Sequence, residues 1–183
     1  MYIFLKVLSF FLRTVPTFLN KLTYKCFYSL LFHLLKLRRK VVLDNLKRAF
    51  PDKSQNWYEK MTSECYKFYV EDFLEFLSFP RYFDNKKIKF NDLELLDEAL
   101  KEDKGVIFVG GHFGSFDKLF YDLSNKGYSL CGVAYKQNDS AADQFFKKIR
   151  EKYMERQLYK GESGIHLKAA LKNNEILILL SDQ

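Results

Sequence analysis

Strand-like and helix-like segments alternate along the sequence from Ile88 onward, and this alternation most limits the possible folds. Short strand-like segments are predicted at residues 88–90, 105–109, 129–135, near 157 and at 176–181. Amphipathic segments predict helices at residues 92–102 with Asn91 as the N-cap, and at 115–125, 140–154 and 165–172. Alternation of this kind is typical of α/β proteins. We therefore predict an α/β fold in which helices flank a sheet.

The residues before this region have helical periodicity. Apolar spacing predicts helices at residues 3–34, 37–50 and 55–78, with Pro16 kinking or dividing the first and Ser54 capping the third. The third helix is predicted to bury an aromatic-rich stripe, namely Trp57, Met61, Phe68, Phe73 and Phe76. We predict a helical amino-terminal region at residues 1–80 and an α/β core at residues 81–183, joined within residues 79–87.

Positive charge is concentrated at the amino-terminal end. The first fifty residues contain ten Lys or Arg and one Asp, whereas the other 133 contain twenty basic and twenty-two acidic residues, so the net charge of +7 lies at one end. These cations are interleaved with Phe, Leu, Ile and Val and match no nucleic-acid-binding motif. The pattern favours an anionic lipid surface over nucleic acid as the partner.

A membrane-spanning helix is not predicted at this end. Such a helix needs about 20 mostly apolar residues, whereas the longest uncharged run is Cys26 to Leu35. Lys6, Arg13 and Asn20 recur every seven residues and share one helix face. The remaining apolar residues could face lipid or the protein body, and both interpretations stay open: Ile3, Phe4, Val7, Leu8, Phe11 and Leu12.

Cysteine and most histidine positions predict no metal site, disulfide or cofactor. The three cysteines are far apart and odd in number, which fits a reducing cytoplasm, and Cys131 lies in a predicted strand as a core residue. His33 lies in an apolar segment and His166 at the start of an alanine-rich helix, so both are interpreted as structural or exposed. His112 is the histidine with chemical partners nearby in sequence.

The segment GVIFVGGHFGSFD, Gly105 to Asp117, combines a short apolar strand, a glycine-rich turn and the spacing His-x-x-x-x-Asp. Glycines permit a sharp turn, and Asp117 would stand at the start of the next helix. In α/β sheets ligands bind at the carboxyl ends of the strands. His112 is therefore predicted to face a substrate, although a packed histidine beside an acid that stabilises the helix start would leave the same pattern.

A neutral imidazole can accept a proton near neutral pH, and a carboxylate partner such as Asp117 fixes its tautomer and stabilises the imidazolium. The pair could make a substrate hydroxyl nucleophilic, so that it attacks an activated acyl carbon directly without an acyl-enzyme intermediate. Backbone N–H groups of the glycine turn could stabilise the oxyanion. The pattern thus favours acyl transfer to a hydroxyl.

Three separated segments resemble a known family. They are RRKVVLDNLKRAFPDKS (residues 38–54), GGHFGSFD (110–117) and GESGIHLKAALKNNEILILLSDQ (161–183). Their order and spacing are similar to those of the bacterial lipid A biosynthesis acyltransferases, the lauroyl and myristoyl transferases of the lysophospholipid-acyltransferase-like superfamily. The resemblance implies transfer of a fatty acyl chain from acyl carrier protein to a glycolipid acceptor, a lipid A precursor, at the cytoplasmic face of the cell inner membrane, without a cofactor.

The resemblance also implies roles for individual residues. His112 would be the base and Asp117 its orienting partner, while substrate contacts would come from Gly114, Ser115, Lys136 and Arg150. The family usually has Asn-Trp-Glu where this chain has Ser115, Phe116 and Asp117, and Asp preserves the carboxylate with a shorter reach. Where the family has arginine, Lys136 keeps the charge but lacks the bidentate geometry suited to phosphate.

Members of the family continue beyond the Asp-Gln that corresponds here to Asp182 and Gln183. We therefore expect the chain to be an amino-terminal portion in which the C-terminal part of the fold is missing. Two alternative functions stay open at this point. One is acyl transfer to a glycerophospholipid or another glycolipid, and the other is a non-catalytic membrane-bound fragment. Coenzyme A is an alternative donor.

Overall fold

The computed structural model describes residues 1–85, 88–161 and 164–182, and the chain divides into two compact units. One unit comprises Phe10–Ser78 and is helical. The other comprises Met1–Ser9 together with the chain from Phe79 onward, and it contains the sheet. The first nine residues therefore belong to the unit that carries the sheet. Each unit is described by itself below.

The helical elements before residue 79 are α1 (Tyr2–Thr14), α2 (Thr17–Ser29), a π-helical turn (Leu30–Leu35), α3 (Arg39–Ala49) and α4 (Gln55–Leu77). The prediction that Pro16 divides the first segment is confirmed, because α1 ends at Thr14 and α2 begins after Pro16. The side-chain amide of Asn20 donates to the Leu12 carbonyl at 2.9 Å. This bond joins the two helices across the break.

Helix α4 begins as predicted but buries a different face. The Ser54 hydroxyl accepts a hydrogen bond from the Trp57 N–H at 3.3 Å, which confirms the N-cap. Of the predicted stripe, Phe76 is buried, whereas Phe68 and Phe73 remain 43% and 40% exposed, so the stripe was wrong. The buried face repeats every four residues, at Tyr58, Thr62, Tyr66, Val70 and Leu74. The hydroxyls of its three polar members, Tyr58, Thr62 and Tyr66, donate to backbone carbonyls within the unit.

The second unit confirms the predicted α/β class. After α5 (Arg81–Asn85) and α6 (Leu93–Leu100), strands and helices alternate in the order β1 (Val106–Gly110), α7 (Phe116–Asn125), β2 (Leu130–Ala134), α8 (Ser140–Arg150), β3 (Arg156–Tyr159), α9 (Gly164–Lys172) and β4 (Ile176–Leu180). The strands form one parallel sheet in the spatial order β1-β4-β2-β3. The sequence segments predicted as strands from residue 105 onward therefore all pair.

Two local predictions near the start of this unit were wrong. Residues 88–90 are not a strand, and the N–H of Ile88 donates instead to the Asp122 carboxylate at 3.1 Å. The residue that precedes α6 is Asp92, with a φ of +54°, rather than Asn91. A three-residue segment such as Ile88 to Phe90 carries too little information to separate a strand from an extended loop held by a side chain.

Strand alternation gives the sheet two different faces, because successive side chains point to opposite sides. One face carries a core cluster formed by Cys131, Leu158, Ala170 and Leu177. On the other face Gly132 of β2 lies opposite Gln157 of β3 in the register. This second face, together with α7 and α8, surrounds the cavity described next.

Candidate active site

His112 and Asp182 meet at the carboxyl edge of the sheet. In the parallel pairing of β1 with β4, Gly110 lies opposite Leu180. His112 follows Gly110 by two residues, and Asp182 follows Leu180 by two residues, so both leave the sheet at the same place. One oxygen of Asp182 lies 2.7 Å from Nδ1 of His112, and the other accepts the backbone N–H of His112 at 2.9 Å. A single carboxylate therefore holds both the ring and the backbone of the turn.

This contact sets the chemistry of the imidazole. Hydrogen bonds from the backbone N–H and the ring of His112 hold the pKa of Asp182 below its usual value, so this carboxylate is ionised at neutral pH. An ionised carboxylate accepts the Nδ1 hydrogen, which leaves Nε2 as the proton-accepting nitrogen. The ring packs edge-on against Phe116, and its side chain is 35% exposed. The imidazole of His112 is thus held in one orientation and can be reached by a ligand.

Asp117 does not make the predicted hydrogen bond to His112 in the described part of the chain. Its Oδ1 accepts from Nε of Arg150 at 2.9 Å and from the Tyr153 hydroxyl at 2.5 Å, and its Oδ2 accepts from the Arg150 guanidinium at 3.3 Å. The first turn of α7 aims the Asp117 carboxylate at the end of α8, where Arg150 stands. The acid that orients the ring comes instead from the end of β4.

The Asp117–Arg150–Tyr153 cluster is buried and electrostatically coupled. Burial lowers the pKa of Arg150, but the charge and hydrogen bonds of Asp117, together with Tyr153, raise it by a larger amount, so the net change is upward. Burial makes the largest contribution to raising the pKa of Tyr153, and the Asp117 carboxylate adds to the increase. The guanidinium therefore stays charged and the phenol stays protonated at neutral pH. The cluster ties α7 to α8 and to the turn after α8.

A cavity of about 390 Å³ lies beside His112 on the face of the sheet that α7 and α8 cover. Its lining includes the exposed residues His112 and Lys160 and the buried Phe120 and Ile178. A Cβ on Gly132 would lie 2.9 Å from the Met154 sulfur, so glycine lets the Met154 side chain approach the strand. A largely apolar cleft with a few polar groups is the usual form of a ligand site.

The predicted site residues are distributed unevenly around this cavity. His112, Asp117 and Arg150 line it, whereas Gly114, Ser115 and Lys136 are not among its lining residues. Gly114 has a φ of +60° in the turn, and Ser115 precedes α7. Apart from the contact of Asp117 with His112, which Asp182 makes instead, the assigned roles of these six residues stay predictions.

Lys136 is exposed after β2 and acts electrostatically on a neighbouring acid. Burial raises the pKa of Asp143, but the backbone N–H of Gln137, the Tyr159 hydroxyl and the charge of Lys136 together lower it more. Lys136 is therefore a surface cation close to the rim of the sheet.

Sequence reasoning missed three residues of this region, Asp182, Tyr153 and Gln157. Asp182 lies in a segment that carried the family resemblance, but its partner depends on which strands are neighbours. Tyr153 and Gln157 had no motif to mark them. All three are found through the packing of elements that are distant in sequence.

Part of the glycine turn is occupied by its own hydrogen bonds. The N–H of His112 donates to Asp182, that of Phe113 to the Gly111 carbonyl at 2.9 Å, and that of Phe116 to the Gly114 carbonyl at 3.1 Å. These three donors therefore serve the turn rather than an oxyanion.

The other cysteine and histidine interpretations agree with their surroundings. Cys131 is fully buried, and burial, with a smaller contribution from Glu175, raises the pKa of its thiol to about 11, so it stays protonated at neutral pH. His166 is exposed on α9. His33 packs against the rings of Tyr28 and Phe32.

The fold and the site together define an α/β protein in which a carboxylate holds a histidine ring beside a largely apolar cleft, an arrangement suited to activating a hydroxyl near a hydrocarbon chain. The sequence profile of the bacterial lipid A biosynthesis acyltransferases matches residues 1–183. The protein belongs to this family, as its sequence motifs had suggested, and acyltransferase activity is the activity of the family. No curated protein matches the chain at a significant level.

Among the helices that the structure describes, none combines the length and the apolar character needed to cross a bilayer.

Proposed function

We propose that the protein moves a fatty acyl chain from the thioester of acyl carrier protein to a hydroxyl of a lipid A precursor at the cytoplasmic face of the cell inner membrane. The observation that carries this proposal is the His112–Asp182 contact at the cavity. Family membership supports the reaction class and lipid A biosynthesis. The carrier-protein donor, the hydroxyl acceptor and the membrane location are proposed in addition to this reaction class.

The reaction follows from the position of the free ring nitrogen. Nε2 of His112 accepts the proton of the acceptor hydroxyl as its oxygen attacks the thioester carbon, and Asp182 stabilises the imidazolium. The tetrahedral intermediate then breaks its carbon–sulfur bond. The leaving thiolate takes the proton from the imidazolium, which returns His112 to its starting state and balances the transfer.

The cavity suits the two substrates in different parts. Phe120, Met154 and Ile178 offer apolar surface to a hydrocarbon chain. The guanidinium of Arg150 already donates to Asp117, so the exposed cations Lys136 and Lys160 are better placed to meet anionic groups. An acidic carrier protein and a phosphorylated glycolipid both present such groups.

Membrane attachment would use the first helix. Ile3, Phe4 and Val7 of α1 are 77%, 58% and 63% exposed, and Lys6 lies among them. The Tyr2 ring packs against Phe145 of α8, which anchors the start of α1 on the sheet-containing unit. An exposed apolar helix face with cations is typical of helices that lie in the membrane interface.

Changing Ile3, Phe4 and Val7 together to serine is therefore expected to weaken binding to anionic phospholipid vesicles by about tenfold or more, because each side chain loses its transfer to the lipid phase. Vesicle co-sedimentation measures the affinity. Leu95→Ser with Ile165→Ser removes two other exposed apolar side chains as a matched control and should leave binding unchanged. Equal loss in both variants would contradict membrane contact through α1.

The proposed reaction is tested with purified protein and defined substrates. Lauroyl or myristoyl thioesters of acyl carrier protein and of coenzyme A are offered with a lipid A precursor or a lysophospholipid as the acceptor, and mass spectrometry identifies the product. Acylation of the lipid A precursor from the carrier-protein donor is expected. Preferred transfer to the lysophospholipid would replace the proposed acceptor, and no transfer from any pair would contradict the function.

Asp182 is expected to act as a positioning residue for His112. Asp182→Asn should lower kcat by about tenfold to a hundredfold with little change in KM, because the base remains but its tautomer is no longer fixed by a charge. Steady-state kinetics across pH measures the effect, and the pH profile should change shape.

Asp182→Glu keeps the carboxylate and should recover part of the lost rate. Lys104→Gln, a change in an exposed residue outside the cavity lining, provides the control for handling and folding. An Asp182→Asn enzyme with an unaltered rate and pH profile would contradict the positioning role.

A further inference from the structure

Gln157 is a buried polar residue whose side-chain oxygen has no hydrogen-bond partner among residues 1–85, 88–161 and 164–182. The residue is 6% exposed and lines the cavity beside His112. The other buried side-chain oxygens of this kind, on Asn20 and Glu175, do not belong to residues that line this cavity. Buried polar atoms are nearly always paired, so an unpaired one within a cavity indicates a group that a ligand would satisfy.

The place of Gln157 in strand β3 shows how deep its side-chain oxygen lies in the cavity. Gln157 pairs in register with Gly132, two residues before Ala134 at the end of β2. It therefore stands below the rim of the sheet, on the cavity face. The lining residues Phe120, Met154 and Ile178 are apolar, so Gln157 is a polar point in a mainly apolar part of the cavity.

The charged groups nearby favour a neutral ligand group. Asp117 and Arg150, which also line the cavity, are paired with each other, and the ammonium of the exposed Lys160 donates to the Tyr135 hydroxyl. A charged ligand group at Gln157 would lose its hydration without a counter-charge of its own, which is unfavourable. A hydroxyl is small and neutral, and it can both donate to the carboxamide oxygen and accept from the carboxamide NH₂.

We propose that Gln157 recognises a hydroxyl on an aliphatic chain bound in this cavity, a hydroxyl distinct from the one that is acylated. The inference deepens the proposed function and rests on it, because the occupant is taken to be an acyl chain of the donor or of the acceptor. A chain with the hydroxyl at the matching depth satisfies Gln157. An unsubstituted chain leaves the amide unpaired.

Binding measurements test this without requiring turnover. Calorimetry gives Kd for fatty acids of equal length with no hydroxyl or with one hydroxyl at successive positions. The fatty acid with its hydroxyl at the matching position is expected to bind about tenfold or more tightly than the unsubstituted chain, because that hydroxyl pairs the otherwise unpaired oxygen of Gln157. In Gln157→Met, which keeps the length and removes the amide, this ratio should fall to about one. Met154→Leu alters the same wall without changing polarity and should keep the ratio.

Stability provides a second, independent measurement. Because the side-chain oxygen of Gln157 has no partner to lose among the described residues, Gln157→Met should have a Tm equal to or above that of the unaltered protein. Equal affinity for all chains, an affinity ratio that survives Gln157→Met, or a marked fall in Tm in that variant would each overturn the proposal.

Turnover identifies which substrate carries the hydroxyl. Donor thioesters with and without the hydroxyl are compared at fixed acceptor, and acceptors with and without a second, non-reacting chain hydroxyl are compared at fixed donor. A preference in kcat/KM in one comparison assigns the chain. Transfer without a preference in either comparison overturns the inference alone, whereas a Kd preference without any transfer contradicts the proposed function and supports the binding site.

Discussion

Replacing His112 by alanine is expected to lower kcat for acyl transfer by about 10²- to 10⁴-fold, because the variant has no group at that position to accept the hydroxyl proton. His112 lies on an exposed turn and its ring makes no part of the buried core, so the fold should persist. Steady-state assays with carrier-protein donor and lipid A precursor measure the loss, and circular dichroism checks the fold.

His166→Ala is the matched control, since it removes an exposed imidazole on α9 outside the cavity lining. Its rate should equal that of the unaltered protein. If the His112→Ala protein transferred acyl chains as fast as this control, base catalysis by His112 would be refuted and the proposed mechanism with it.

The largest effect on stability is expected at the buried ion pair. Asp117→Asn removes the carboxylate that faces Arg150 and leaves the guanidinium largely buried without its counter-charge. The free energy of unfolding should fall by about 3 kcal/mol, the lower end of the range for a broken buried pair, because Arg150 keeps some exposure. Urea denaturation followed by circular dichroism measures the change.

Two further variants separate charge from packing. Asp117→Leu with Arg150→Met replaces both charges by apolar groups and should recover much of the lost stability, since a buried pair is often no better than an apolar one. Glu64→Gln breaks the half-exposed pair with Lys67 and should change stability far less. An Asp117→Asn protein as stable as Glu64→Gln would show that the buried pair contributes nothing.

The fold was predictable where local pattern determines structure. The strands β1, β2 and β4 are compact, mainly apolar runs between helix-like segments, whereas β3 (Arg156–Tyr159) is short and half polar, and all four pair in one parallel sheet. Residues 88–90 failed because the side chain of Asp122, distant in sequence, binds their backbone. The buried face of helix α4 was predicted wrongly because the prediction followed the large aromatic residues. The face that packs includes Tyr58 and Thr62, whose hydroxyls donate to backbone carbonyls within the unit.

In the candidate site too, residues marked by a local sequence pattern were predictable, whereas contacts that depend on the packing of distant elements were not. His112 is marked by a local signal, the glycine turn after a strand. Its partner Asp182 is seventy residues away and becomes visible once β4 is known to lie beside β1. Asp117 and Arg150 were both selected from the sequence, yet their mutual pairing depends on how α7 and α8 pack, which no spacing along the chain encodes.

The place of β4 in the sheet has a consequence for biosynthesis. β4 follows β1, β2 and β3 in the chain but lies between β1 and β2. On the ribosome, β1 and β2 therefore emerge before the strand that separates them, so until β4 emerges β1 lacks a partner in the described sheet and β2 can pair with β3 alone. Because long-range parallel pairing is slow, nascent chains would expose unsatisfied strand edges until β4 is released. The same pairing brings Asp182 to His112, so the contact between these two side chains forms only once β4 has joined the sheet.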